Sequence, residues 1–194
     1  MSFISIVYHS SYGHTKVLAE AVARGAQAVP GTTVSVIPVD QAEARSAELD
    51  RADAIIFGAP TYMGSASAPF KTFMEWTSQR WATQTWRNKL AAGFTNSASQ
   101  SGDKLNALVQ LFIFAMQHGM IWVGLDLLPG NNSSTGSIED LNRLGSFAGA
   151  MAQSNADAPP AEAPIRSDQR TAEHLGRRVA EFAARLSRPE LRAA

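Results

Sequence analysis

The sequence predicts an α/β protein, a doubly wound sheet of five parallel strands with helices on both faces. Three observations point there. Short apolar runs alternate with segments of helical period along the chain. The runs are largely apolar throughout, as suits strands covered on both sides. Several of them end in loops of Gly, Ser, Thr and Asn, the kind of loop on which ligand contacts concentrate.

Phe3 to Tyr8 reads as the first buried strand. Thr15 to Ala28 follows as a helix with Val17, Leu18, Ala21, Val22 and Gly25 on one face, ended by Pro30-Gly31. Thr33 to Val39 is β-branched and alternating, a second strand. Ala54 to Ala59 is the third, stopped by Pro60. Pro69 to Ser78 is a helix with proline near its first turn. Leu90 to Phe94 is the fourth strand. Asp103 to His118 is a helix with Leu105, Leu108, Val109, Phe112 and Met116 along one face. Met120 to Val123 is the fifth strand, and Leu175, Val179, Phe182 and Leu186 mark a last helix. Such a series fits the strand order 2-1-3-4-5 with right-handed crossovers, and residues 1–194 are expected to form one domain.

The stretch 126–167 stands apart. It is rich in Gly, Ser, Asn, Ala and Pro, with one weak helical patch around Ile138 to Leu144. Two readings of it stand: a floppy linker, or an ordered excursion that serves function or subunit contact.

Composition narrows the function. Seventeen Lys and Arg balance seventeen Asp and Glu, which argues against a nucleic-acid partner and against a strongly acidic electron-transfer surface. The chain has no cysteine, so disulfides, thiolate catalysis, zinc–cysteine sites and iron–sulfur clusters are excluded. No apolar run approaches the ~20 residues that span a bilayer, and the first strand lacks a leader's basic flank. The expectation is a cytoplasmic protein with no membrane anchor and no metal site. From Arg166 to Arg192, seven arginines face four acids (Asp168, Glu173, Glu181, Glu190), which reads as a solvated face.

Three loops carry the chemistry. Ser10-Ser11-Tyr12-Gly13-His14-Thr15 lies between the first strand and its helix. A helix start offers unpaired N–H groups and partial positive charge, and the hydroxyls add donors, so the loop suits a phosphate. A plain Ser-rich cap is the competing reading. Pro60-Thr61-Tyr62-Met63-Gly64 follows the third strand, and Tyr62 and Met63 are suited to covering a flat ring. Asn96-Ser97-Ala98-Ser99-Gln100-Ser101 follows the fourth, with backbone donors for a heterocycle edge or, alternatively, only a solvated helix cap. With strand order 2-1-3-4-5, ligands bind beside the first and third strands, outside their carboxyl ends, where all three loops meet.

These loops, together with His118-Gly119, resemble those of the flavodoxin-like NAD(P)H:quinone oxidoreductases of the WrbA type, first described as tryptophan-repressor-binding proteins. The likeness runs from the first strand to the last helix, and Tyr12-Gly13-His14 is its most specific part. It implies a flavodoxin-like fold and bound FMN. Ser10, Ser11, Tyr12, Gly13, His14 and Thr15 would hold the phosphate and ribityl chain, Pro60 to Gly64 would lie along the flavin, and Asn96 to Ser101 would wrap the phosphate or pyrimidine side. It further implies His118 near the flavin as the one catalytic candidate. Trp81 would stand at the substrate mouth, Tyr12 would contact NADH or NADPH, and the assembly would be a homodimer or homotetramer with active sites between subunits. The chain departs from that group where many members carry Arg-Phe in place of Tyr62-Met63 and Gly-Gly in place of Ser99-Gln100-Ser101, and in its short segment between Asp40 and Asp53.

Without the resemblance, His118 is a histidine suited to a helix C-terminus, and Trp81 and Trp86 are packing residues. Two-electron transfer from NAD(P)H to a quinone by a ping-pong scheme is the leading expectation. A flavodoxin-like electron carrier and a flavin-binding regulatory protein are the alternatives. Residues 126–167, with Leu127, Leu128, Leu141, Leu144, Phe147 and Met151, are expected near a subunit contact and close to a flavin.

Overall fold

A computed structural model describes residues 1–187; Arg188, Glu190 and Arg192 of the arginine-rich stretch lie outside the described residues. The elements run β1 (Ser2–Tyr8), α1 (His14–Gln27), β2 (Thr32–Pro38), α2 (Ser46–Arg51), β3 (Ala54–Tyr62), β4 (Ser65–Ala66), α3 (Ala68–Trp76) and α4 (Ser78–Ala82). They continue with β5 (Leu90–Ser97), α5 (Lys104–Gln117), β6 (Ile121–Trp122), β7 (Ala150–Gln153) and α6 (Arg166–Leu186). The main sheet has the order β2-β1-β3-β5-β6, all parallel. This is the doubly wound, flavodoxin-like order expected of five strands, because β4 is only a two-residue antiparallel return on β3.

Period-two alternation divides the strands between two cores. Ile4, Ile6, Tyr8, Ala54, Ile56, Ala92 and Phe94 face α1 and α6. Val7, Ile55, Phe57, Ala59 and Ala91 face the other way, with Leu49, Phe70, Phe73, Trp86, Leu108, Leu111 and Phe114. On the first face α1 and α6 touch backbone to backbone. A Cβ on Gly25 would stand 1.7 Å from the Glu173 carbonyl oxygen, and one on Gly176 would stand 2.0 Å from that of Val22. Among the described residues, no helix is long and apolar enough to cross a membrane.

Four local expectations are corrected. Pro60 does not stop β3, which continues to Tyr62. The β1 register ends at Tyr8 opposite Gly58, so Pro60 lies where β3 has lost that neighbour and proline disturbs one fewer ladder. The expected helix from Pro69 to Ser78 is two helices, α3 and α4, meeting at Thr77. The patch from Ile138 to Leu144 is a series of turns.

The fourth correction concerns α5. Its sheet-facing residues are Lys104, Ala107, Leu108, Leu111, Phe114 and Ala115. Of the stripe expected to be buried, Leu105, Val109, Phe112 and Met116 point outward with Ile113, each 38–58% exposed. The helix is apolar on both sides, so period alone does not choose its inner face.

The edge strand is split. β6 pairs only with Leu90 and Ala91, and β7 takes the rest of that edge opposite Phe94 to Ser97. The chain between them leaves the sheet and returns, so the stretch 126–167 is an ordered excursion that carries a strand. Leu127, Leu141, Leu144 and Met151 are half-buried against this chain, while Leu128 and Phe147 stay exposed. Asp168 of α6 anchors the excursion. Its carboxylate accepts two bonds from Arg143 and one from the Gln153 N–H, each 2.8–2.9 Å long.

Alanine is the better helix former by about 1 kcal/mol, so propensity alone makes Gly176→Ala stabilising. The backbone contact gives the opposite sign: a loss of about 1–3 kcal/mol, as overpacking costs. Urea unfolding of the variant reads this directly, and a raised midpoint would show that the helices have room to spare.

Candidate functional site

The carboxyl ends of β1, β3, β5 and β7 open onto one cleft of about 740 Å³. Its first wall is the turn before α1. Gly13 holds φ +92° there, a left-handed conformation that L side chains rarely adopt, and a Cβ would also strike Pro160 at 2.5 Å. The Gly13 N–H donates to Ser10 Oγ at 3.1 Å. The N–H groups of Ser11, Tyr12, His14, Thr15 and Lys16 meet no acceptor among the described residues, and α1 has no acid in its first turn. Such a ring of free donors at a helix start suits an anion, and the phosphate of FMN fits it.

The second wall is the end of β3. Thr61 Oγ1 bonds Thr95 Oγ1 (2.7 Å), and Thr95 passes its proton to the Ala59 carbonyl (2.7 Å), so this wall is tied to β5 by buried hydroxyls. Asn106 Nδ2 donates to the Gly64 carbonyl (2.6 Å). Met63, at φ +50°, is fully exposed on the rim. Tyr62 stands edge-on to Tyr12 with ring centroids 6.4 Å apart, so two tyrosines frame the mouth.

The third wall is the loop after β5, and the fourth is the far end of the excursion. Ser154 Oγ donates to Asn96 Oδ1 (3.0 Å) and the Ser154 N–H to the Ser97 carbonyl (3.1 Å). His14 Nε2 donates to the Ala158 carbonyl (2.8 Å), which fixes the proton on that nitrogen and straps the excursion to the phosphate turn.

Most expected binding residues therefore meet. Ser10, Tyr12, His14, Thr15, Pro60, Thr61, Tyr62, Met63, Gly64, Asn96, Ser97, Ala98 and Ser99 line the cleft. Ser11 faces an adjoining hollow, Gly13 lies beneath Pro160, and Gln100 and Ser101 sit just off the lining. Sequence reasoning missed Gly102, Ser154 and Ala156. The signal for the last two was there: Ala150 to Gln153 is a short strand-like run followed by small polar residues, the pattern that marked the other loops.

Trp81 and His118 are elsewhere. They line a separate cavity of about 590 Å³ beneath α3 and α5, with Met74, Thr77, Ile113 and Phe114, and it shares no lining residue with the cleft. The reason is direction: α5 starts at the cleft and carries its C-terminal His118 to the opposite edge of the sheet. His118 is buried between Trp86 and Phe114, with ring centroids 4.6 and 4.8 Å away. Thr77 gives its hydroxyl proton to the Met74 carbonyl, so it accepts from His118 Nε2 at 3.0 Å. That leaves Nδ1 a buried lone pair without a partner among the described residues. Burial, with Arg80 nearby, pushes the His118 pKa down to about 4, so the ring is neutral at pH 7.

Fold and cleft together define a flavodoxin-like protein with an open cleft at the carboxyl edge of its sheet. The chain belongs to the NADPH-dependent FMN reductase family, whose profile matches residues 8–131. It is 44% identical to "Flavodoxin FldP" of Pseudomonas aeruginosa over 96% of this chain and 99% of that one. It is 31% identical to a "NAD(P)H dehydrogenase (quinone)" of Geotalea uraniireducens, over 95% and 99% of the two chains. Among solved structures it is similar to a flavodoxin, WrbA-like protein from Agrobacterium tumefaciens, with a TM-score of 0.74, 40% identity and coverage of 95% and 99%.

The depressed pKa of His118 has a consequence for stability. Between pH 6.5 and about 4 the unfolded chain takes up a proton that the folded chain refuses. Stability therefore falls as pH drops through that window, by up to about 3 kcal/mol from this residue, because each tenfold difference in proton affinity is worth about 1.4 kcal/mol. Urea unfolding at pH 7 and pH 4.5 should show a smaller acid loss in His118→Gln than in the parent; parallel losses would exclude a neutral buried His118.

Proposed function

We propose that this chain is an FMN-dependent oxidoreductase that passes two electrons from NADH or NADPH to quinones in a ping-pong scheme. FMN, when bound, supplies the hydride chemistry; the chain supplies position, dielectric and donors. The observation that carries the reading is the set of N–H groups of Ser11, Tyr12, His14, Thr15 and Lys16, without an acceptor among the described residues, set against a cleft wall of Pro60 to Gly64 and a mouth of two tyrosines. Ser10 and Thr15 add hydroxyls to the anion cradle, while Asn96 and Ser154 close the far side. Tyr12 and Tyr62 present aromatic edges to an entering nicotinamide or quinone ring. Family membership and the quinone-dehydrogenase relatives support FMN with NAD(P)H as donor. A cytoplasmic setting, where both nucleotides abound, fits this role.

The 44% identical relative named a flavodoxin favours a second reading, an electron carrier without nicotinamide activity. Anaerobic stopped-flow separates the two. Either NADH or NADPH should bleach the bound flavin within seconds, and benzoquinone should restore it. Bleaching by dithionite alone would establish the carrier.

The same proposal includes a homodimer or homotetramer. Its support is the outward stripe of Leu105, Val109, Phe112, Ile113 and Met116 on α5, an apolar face larger than scattered surface residues explain. A second copy is also the means by which a Trp81–His118 surface would reach a cleft, since one chain holds them apart. Light scattering should give at least twice 20.8 kDa. A monomer at tens of micromolar with full quinone reduction would overturn this part.

A further inference from the structure

The third wall of the cleft hides a cation. Lys104 opens α5 and is 1% exposed. Its ammonium donates to Ser97 Oγ, the Ser99 carbonyl and the Gln100 carbonyl, each at 2.8 Å. All three protons are spent on one loop and none on a carboxylate. The charge faces two others: Asp168 of α6, which already accepts two bonds from Arg143, and Arg143 itself on the excursion. Asp103, one position earlier, is exposed on the rim. The position is costly on two counts, since burial penalises an ammonium and a helix start is the positive end of the dipole.

The bonds also set the loop's polarity. The peptide units here are trans, so a carbonyl and the following N–H point opposite ways. With the carbonyls of Ser99 and Gln100 turned in toward Lys104, the N–H groups of Gln100 and Ser101 turn outward, and neither meets an acceptor among the described residues. Between Ser99 and Gly102, which line the cleft, the loop thus carries two outward donors with a fixed positive charge behind them.

We propose that Lys104 is a positioning residue that makes the cleft favour the reduced over the oxidised form of FMN, by aiming the loop's N–H groups and placing an uncompensated cation behind the flavin's pyrimidine edge. Taking up two electrons leaves reduced FMN with negative charge on that N1–C2=O edge near neutral pH. Preorganised donors and a buried cation stabilise such charge most where water is excluded. The inference rests on the FMN reading above.

Lys104→Gln keeps amide donors for the loop carbonyls and removes the charge; Lys104→Arg keeps the charge. The measurements are the dissociation constants of oxidised and dithionite-reduced FMN, and the midpoint potential against a reference dye, from pH 6.5 to 9.5. Burial pushes the Lys104 pKa down to about 8, so the unaltered protein should lose its preference for reduced FMN as pH rises past that value. In Lys104→Gln, oxidised FMN should bind within about threefold of the parent. The ratio of reduced to oxidised affinity should fall at least tenfold, which for a two-electron couple is about 30 mV, and the step near pH 8 should vanish. Lys104→Arg should keep the parent's ratio below about pH 8 and hold it above that pH, where the parent's falls. A Lys104→Gln ratio equal to the parent's at pH 6.5–7 overturns the proposal. Should the variants not fold, the unaltered protein decides by itself: without a step near pH 8 the proposal fails. An unaltered protein that binds no FMN sinks the cofactor reading itself; one that binds FMN with an unmoved ratio sinks only the role of Lys104.

Discussion

One buried carboxylate holds the excursion on which the cleft's fourth wall depends. Asp168 receives both arms of Arg143 and the N–H of Gln153, and so joins α6, the turns of the excursion and β7 at one point. A buried ion pair adds little net stability against an apolar substitute, but breaking one partner away leaves a buried charge and is costly. Its value here is register. With Gln153 pinned, Ser154 falls against Asn96, Ala158 falls against His14, and Pro160 caps Gly13. A segment with few apolar residues of its own thereby becomes a wall of defined shape.

That arrangement explains which parts of the molecule were legible in the sequence. Buried parallel strands advertise themselves, because Ile4 to Tyr8, Ser5 apart, and Ala54 to Ala59 are apolar on both faces. The loops at their carboxyl ends were legible for the same reason: once strand order was read, their position followed. The excursion was not. β7 is four residues in a Gly- and Ser-rich stretch, and it exists because Phe94 to Ser97 offers an edge that β6 is too short to cover. The inner face of α5 was misread for a different reason. Lys104 is charged and buried while Leu105 is apolar and exposed, so the two positions invert the rule on which periodicity depends. A lysine goes inside only where carbonyls receive its protons, and those carbonyls belong to a loop whose course sequence does not give.

The two residues that resemblance placed near the flavin and at the substrate mouth show how far family likeness reaches when geometry is added. His118 and Trp81 are real features of the chain, yet its path carries them to the far end of α5 and to α4. His118 is held as a neutral ring with a bare Nδ1, packed on Trp86 and Phe114 and bonded to Thr77. In one copy this is a finished piece of core beside an apolar hollow. Any part it plays in chemistry at the cleft has to come through contact with a second copy, for which the exposed stripe on α5 is the matching physical demand.

The cleft also carries its own argument about which kind of redox protein this is. A carrier that hands single electrons to protein partners gains from a one-signed docking surface that steers association. This chain has no charge excess, and the rim of its cleft shows Tyr12, Tyr62 and Met63. Such a rim suits flat, weakly charged molecules that enter by apolar and aromatic contact. Inside, positive potential comes from fixed sources, the free N–H groups at the start of α1 and Lys104 at the start of α5. In the proposed complex, the first serves the charge that a phosphate always bears. The second serves charge that appears only on reduction. A cleft aromatic at its mouth and cationic at its base is the physical ground for proposing small-molecule donors and acceptors over a partner protein.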